Sequence, residues 1–342
     1  MNTFFSEMVY LCLAVTAVLG GLVLCKLKKS PGQVGRKVIC LVGFLGGLCL
    51  LSLSLFWSSI LFSLSCFLMY IYLSCQELLP VDQKAVLITG SDSGFGHALS
   101  KYLDKLGFTV FAGVQNEKGS GAEELRRTCS KRLSVLQLDV TNPQQIKDAY
   151  SKVVEKVQNR GLWAVVNNAG ILGLPIDGEL IPMTDYKNCM AVNFFGAVEV
   201  TKSFLPLLRK SKGRLVNISS MADIVGTNEM WDKLEKDILD HLTPDVLEDY
   251  GQDYILMQRN YFNLINKYGH TDLTPVLLNI QHAISAKRPF TFYTPGSGAY
   301  LWIYFVSFSP TIIFDYFNKK FNFFVSSMPR ALRMPNWKNK AM

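Results

Sequence analysis

The first chemical signal is a run of eight residues, TGSDSGFG: Thr89, Gly90, Ser91, Asp92, Ser93, Gly94, Phe95 and Gly96. It directly follows the apolar run AVLI and opens a stretch of helical character that the sequence predicts over about 94–106. Gly90 permits a tight turn, while Gly94 and Gly96 let backbone approach a phosphate and let strand pack on helix. A helix starting there aims roughly half an elementary charge at a bound anion. A flexible loop has the same composition, so the argument rests on its place between strand and helix. Three further polar groups follow apolar runs: Asp139 and Val140 in LDV, the quartet Asn167, Asn168, Ala169 and Gly170, and NISS ending at Ser220. Asn193 lies in VNFFG, within a long helix predicted over 187–210. Taken singly, Asp139 or Asn168 reads equally well as a turn or cap residue.

These residues need a scaffold. The runs AVLITG, FTVFAG, LSVLQLD, LWAVVNNAG and GRLVNIS alternate with helical stretches, the rhythm of βαβ units around a parallel sheet. In the 187–210 helix, Val192, Phe195, Ala197, Val200 and Phe204 are candidates for the buried face. Beyond Glu229 the chain reads as mostly helical to about Ala286, and FTFYTPG, 290–296, reads as a late strand. No metal centre is indicated. The eight cysteines form no C-x-x-C pair, and His97, His241, His270 and His282 lack ligand spacing.

Of the 342 residues, 49% are hydrophobic, and the excess lies at the two ends. Met8 to Cys25 is uncharged over 18 residues and is followed by Lys-Leu-Lys-Lys. A cleaved signal peptide would carry its basic residues ahead of the apolar run, and here they come after it. Val38 to Ser74 is uncharged over 37 residues, enough for one span with an interfacial segment or for a tight hairpin of two. The basic loop between the runs is expected on the cytoplasmic side. One further span places the body in the lumen and two leave it in the cytosol. Residues 298–314 are apolar and aromatic, broken by Pro310, and suit a membrane interface. The net charge of +8 comes from clusters beside these runs, which points to membrane lipid and away from nucleic acid. The expected division is a membrane region over 1–79, a catalytic-type domain over 80–298 and an interfacial tail with basic end over 299–342.

The spacing T-G-x-x-x-G-x-G, followed in order by LDV, NNAG, VNFFG and NISS, resembles the short-chain dehydrogenase/reductase family. That resemblance implies a Rossmann-like, doubly wound parallel sheet and a nicotinamide cofactor. It implies that Asp139 lies beside the adenine, that NNAG lines the cofactor, and that Asn193 and Ser220 belong to the catalytic group. RGLWAVVNNAG, LPLLRKSKGRLVNISSM and MPRALRMPNWKNK are similar to the membrane-bound branch that handles retinols and hydroxysteroids. Near-complete likeness to its 17β-hydroxysteroid dehydrogenases implies an endoplasmic-reticulum enzyme oxidising the 17β-hydroxyl of a steroid such as estradiol or testosterone. Retinol is the alternative lipophilic alcohol, and a homodimer is compatible with the chain. The end of the second apolar run bears on the cofactor. FAGVQNEK offers no immediate carboxylate or basic group, and no Arg or Lys precedes Gly94, which favours NAD over NADP.

The family places its catalytic tyrosine 13 residues after the serine, and a lysine four beyond. From Ser220 those positions hold Lys233 and Asp237. After SSM the chain passes at once to IVGTNEMWDKLEKDILDHL, which resembles family sequence lying past the sixth strand. The expectation is a sheet lacking its sixth strand, with a segment missing after residue 221, and a chain inactive or nearly so. The alternative class is a non-catalytic membrane protein that binds a dinucleotide or a partner. Tyr316 and Lys320 reproduce the Tyr-x-x-x-Lys spacing, but at an apolar–polar boundary where such residues are ordinary.

Overall fold

The structure, a computed structural model, describes residues 77–173, 176–219, 238–254 and 272–295, with shorter pieces at 60, 63–68, 70, 236, 305, 307–313 and 329–333. Ser220, Lys233, Asp237, Tyr316 and Lys320 lie outside the described residues, as do the first apolar run and most of the second. The chain divides into two compact units, Met1–Pro80 with Ile280–Tyr293, and Val81–Asn279 with Thr294–Met342.

The second unit holds a five-stranded parallel sheet. Its strands are β1 (Ala85–Ile88), β2 (Thr109–Val114), β3 (Leu133–Gln137), β4 (Ala164–Asn167) and β5 (Arg214–Asn217), in spatial order β3-β2-β1-β4-β5. β1 pairs with β2 from Ala85↔Thr109 to Ile88↔Ala112, and with β4 from Val86↔Ala164 to Ile88↔Val166. Every residue of β1 and β4 is buried, the pattern of strands covered on both faces. Chain order reverses between β1 and β4, which makes the C-terminal ends of these two strands the crevice where a doubly wound sheet takes its ligand.

The helices beside the sheet are α1 (Gly94–Lys105), α2 (Ser120–Thr128), α3 (Pro143–Val157) and α4 (Met183–Ser211). Leu87, Phe111 and Val165 share a core with Ile146 and Val153 of α3 and Phe204 of α4. The edge of the Tyr150 ring meets Phe204 at 5.6 Å between centroids, joining the two helices. Alternation sends Val86, Ile88 and Val110 to the opposite face, where α1 packs along β2. α3 starts where the sequence supplies both start signals. The side-chain Oδ1 of Asn142 accepts from the amides of Gln144 (3.0 Å) and Gln145 (3.2 Å), and Pro143 occupies the first turn.

α4 is, among the described residues, the one helix long and apolar enough to cross a membrane. Val200, Phe204, Leu207 and Leu208 instead pack in the core beside the sheet. A π-helical turn interrupts it at Ala191–Gly196. This turn corrects the expected buried face. Phe195 is 61% exposed, and the buried position is Gly196, whose added Cβ would stand 2.6 Å from Cγ2 of Val140. The wider turn rotates the following residues relative to the regular 3.6-residue period that the sequence reading assumed.

β5 differs from its neighbours. No strand lies beyond it among the described residues, its burial alternates between half-buried and exposed, and Leu215 is 43% exposed. The expected late strand is not one. Residues 290–295 form no strand. Among the described residues of the first unit the extended pairing is one antiparallel bridge, Leu78↔Ala286, and the hydroxyl of Tyr293 meets Nδ1 of His282 at 2.7 Å. A ring hydroxyl committed to a histidine, and exposed Phe290 and Phe292, leave this stretch without the alternating burial of a strand. The helical expectation past Glu229 holds over Pro244–Tyr250 and Thr274–Ser285 among the described residues.

Candidate functional site

The glycine loop leaves β1 and is tied down on its inner side. The Ser91 amide donates to the Gly113 carbonyl (2.8 Å) and its hydroxyl to the Ile88 carbonyl (3.3 Å). The Ser100 hydroxyl bonds both the Ser91 hydroxyl (3.1 Å) and the Gly96 carbonyl (2.8 Å). Nδ1 of His97 lies 3.2 Å from the Ser91 carbonyl. Gly90, at φ +67°, lies so close to β4's exit that an added Cβ would stand 2.7 Å from Cα of Ala169. At Gly96 the added Cβ would stand 2.2 Å from the Gly90 carbonyl oxygen. Gly94, at φ +57°, has nothing within 4 Å of an added Cβ. Two glycines thus serve packing, and the third borders open space at a helix start.

That space suits a pyrophosphate. Ser93 caps α1 without a side-chain hydrogen bond, and no acidic residue stands in the first helical turn. The first amides of a helix lack intrahelical partners, so they remain available to an anion.

Thr89 and Asn168 join the two sides of the crevice. The Thr89 hydroxyl oxygen accepts from the amides of Asn168 (3.0 Å) and Ala169 (2.9 Å). The Asn168 side chain donates back to the carbonyls of Thr89 (2.9 Å) and Gly90 (3.0 Å). Asn167 is buried and its Nδ2 donates to Oγ1 of Thr201 and to Oδ1 of Asn217, both at 2.9 Å. Its own Oδ1 is buried without a hydrogen-bond partner among the described residues. The structure therefore gives Asn167 and Asn168 framework roles: they set the height at which Ala169 and Gly170 emerge.

Asp139 accepts from the amide (2.9 Å) and hydroxyl (2.7 Å) of Thr141. Burial pushes its carboxyl up, but the Thr141 amide and hydroxyl and the Gln115 side chain outweigh that and leave it below the ordinary value. Val140 is buried against Gly196. Asn193 sits in the π-helical turn, where its Oδ1 accepts from the Ile171 amide and its Nδ2 donates to the Ile171 carbonyl, both at 2.8 Å. It holds the strand of chain that follows NNAG. Such turns are frequent at functional sites. Asn217 and Ser219 lead up to Ser220.

Two supporting groups were not singled out from the sequence. Gln137 accepts from the Glu117 amide (2.9 Å) and donates to the Gln115 carbonyl (2.6 Å), fixing the loop after β2. Gly121 lets α2 meet the glycine loop, since an added Cβ would stand 2.0 Å from the Asp92 carbonyl oxygen. The glycine two residues into a helical pattern was the available signal for the latter. Beside them, Lys101 and then His97 hold the exposed Glu124 carboxyl below its usual range.

The short chain dehydrogenase family profile matches residues 84–231. Human 17-beta-hydroxysteroid dehydrogenase type 2 is 60% identical over an alignment covering 100% of both chains. This chain belongs to the short-chain dehydrogenase family. Rat estradiol 17-beta-dehydrogenase 2 is 55% identical, with 97% of this chain and 99% of the relative covered. Human 11-beta-hydroxysteroid dehydrogenase type 2 is 36% identical over 75% of this chain and 74% of the relative. The alignment with the human type 2 17-beta enzyme runs over 387 positions against the 342 residues here, so 45 of those positions hold no residue of this short-chain dehydrogenase.

Proposed function

We propose that this chain is by descent a membrane-bound, NAD-dependent 17β-hydroxysteroid dehydrogenase that has lost the segment carrying its catalytic tyrosine and lysine. It retains a dinucleotide site and turns over substrate slowly or not at all. The relatives' names support the steroid class. The observation that carries the loss is the 45 alignment positions that hold no residue here, together with a half-exposed β5 beyond which no strand lies among the described residues. The missing segment is assigned to the junction after residue 221, where family spacing fails.

The residues present fit the cofactor. The α1 amides would hold the pyrophosphate, Asp139 and Val140 would border the adenine, and Asn167 to Gly170 would shape the floor toward the nicotinamide. The bound cofactor supplies the hydride acceptor for alcohol oxidation. Ser220 would hold the substrate oxygen, and Asn193 fixes the Ile171 backbone after the NNAG quartet. The proton on that oxygen then lacks the family's tyrosine, because the family's count from Ser220 falls on Lys233 and Asp237. Losing general-base catalysis costs about 10²–10⁴ in rate. The N-terminal apolar runs support membrane attachment, and likeness to the 17β-hydroxysteroid dehydrogenases supports the endoplasmic reticulum as its site, where a lipophilic alcohol partitions. A homodimer and a retinol substrate are the attendant readings of state and specificity.

The test uses detergent-solubilised chain beside a version with the missing segment restored from the 60%-identical relative. NADH binding by both, with estradiol oxidation only by the restored chain, is the expected result. Estradiol turnover by the unmodified chain within tenfold of the restored one overturns the reading. Retinol oxidised in preference to estradiol by the restored chain moves the substrate class.

A further inference from the structure

We infer that Asp92, in the glycine loop, is the residue that selects NAD over NADP. The inference rests on the dinucleotide reading above. A doubly wound sheet ordinarily reads the adenosine ribose with a carboxylate at the end of β2. In this chain Gln115 and Asn116 follow β2, and neither carries charge. The structure delivers a carboxylate to that place from another element. The Asp92 side chain accepts from the Gln115 amide (3.0 Å to Oδ1, 2.9 Å to Oδ2) and from the Asn116 amide (3.2 Å to Oδ1). Asp92 is thereby held across the C-terminal end of β2.

The arrangement is built from both sides. Gln137 grips the Gln115 carbonyl at 2.6 Å, so the amides that fix Asp92 are themselves fixed. Gly121 brings the start of α2 against the Asp92 backbone, at a separation no other residue allows. A carboxylate has about four acceptor positions, and two amides leave room for a ribose hydroxyl. A 2′-phosphate at the same position meets a fixed negative charge instead, and like charges at close range repel. The rival groups are nearby. Nη1 of Arg126 is committed to the Glu117 carbonyl at 2.6 Å, and Glu117 and Lys118 carry opposite charges in succession.

The test measures dissociation constants of NADH and NADPH by the fluorescence each gains on binding, with the full chain in detergent. Asp92→Asn keeps an oxygen for the amides and removes the charge. It should shift the NADPH-to-NADH preference by about tenfold or more toward NADPH, a change in charge repulsion and not in loop anchoring. Glu117→Gln should leave the ratio where it was. An unchanged ratio in Asp92→Asn, or a shift in Glu117→Gln alone, overturns the assignment. A second measurement needs no variant: 5′-AMP should compete for NADH more strongly than adenosine 2′,5′-bisphosphate, and equal competition overturns it too. Failure of the unmodified chain to bind either dinucleotide overturns the dinucleotide reading itself, and the inference with it.

Discussion

Thr89 and Asn168 exchange hydrogen bonds in both directions across the crevice: the hydroxyl oxygen of Thr89 accepts the Asn168 amide at 3.0 Å, and Nδ2 of Asn168 returns to the Thr89 carbonyl at 2.9 Å. The same hydroxyl oxygen takes the Ala169 amide, so one buried side chain serves two backbone donors. Thr89→Val keeps the shape and strands both donors, at about 1–3 kcal/mol for each buried group left unpaired. Thr89→Ser keeps the oxygen and should stay within about 1 kcal/mol of the parent. Urea unfolding separates the two. A larger loss for Ser than for Val would show that the methyl group, not the oxygen, holds the crevice together.

The glycines divide by what stands opposite them. Gly96→Ala forces a methyl to 2.2 Å from the Gly90 carbonyl oxygen and 2.4 Å from Nδ2 of Asn168, contacts that backbone cannot yield cheaply. Gly94→Ala meets open space and bears only the left-handed backbone cost, about 1–2 kcal/mol. The first variant should lose cooperative thermal unfolding. The second should keep it and weaken NADH binding, because its methyl fills the space assigned to the pyrophosphate. A Gly94→Ala chain that binds NADH as well as the parent places the phosphates elsewhere.

Asp139 gives the site a defined acid response. Its folded carboxyl lies below the ordinary value, since the Thr141 amide and hydroxyl and the Gln115 side chain outweigh burial. The native state therefore releases this proton more readily than the unfolded chain. The stability it contributes is fully present above the unfolded value, about 4, and disappears as pH falls through the lower folded value. Asp139→Asn should be less stable than the parent by a constant margin at neutral and mildly acidic pH, and the two should converge at the acid end. A margin that persists unchanged at the lowest pH would assign the effect to shape.

The sequence carried the strand-to-helix alternation because β1 and β4 are buried on both faces and so appear as unbroken apolar runs. It carried the glycine loop because the three glycines stand between an apolar run and a helical stretch. It missed what depends on distance in space. Phe195 looked like a core residue, since nothing in VNFFG announces a π-helical turn or the crossing of Gly196 over Val140. Phe290 to Gly296 looked like a strand by composition, but Tyr293 is drawn to His282. The roles of Asn168 and Asp92 were also out of reach. Each acts on the backbone of a different strand, 79 and 23 residues away, and a spacing motif marks such residues without saying what they hold.

Leu215 tests whether the sheet has lost a neighbour. In β5 it is 43% exposed, whereas Leu87 in β1 is fully buried. Leu87→Ala should therefore cost about 2–5 kcal/mol, the usual range for a buried leucine. Leu215→Thr should cost about 0.5 kcal/mol or less in this chain, and should reduce aggregation, because an exposed apolar side chain on an edge strand invites pairing. In the chain with its missing segment restored, a strand and helix would cover β5, and the same Leu215→Thr change should cost about 1 kcal/mol or more. The comparison is a double-mutant cycle between Leu215 and the restored segment, read by urea unfolding. Equal costs in the two chains would mean that the restored segment does not pack on β5, and that the exposed edge belongs to the parent fold.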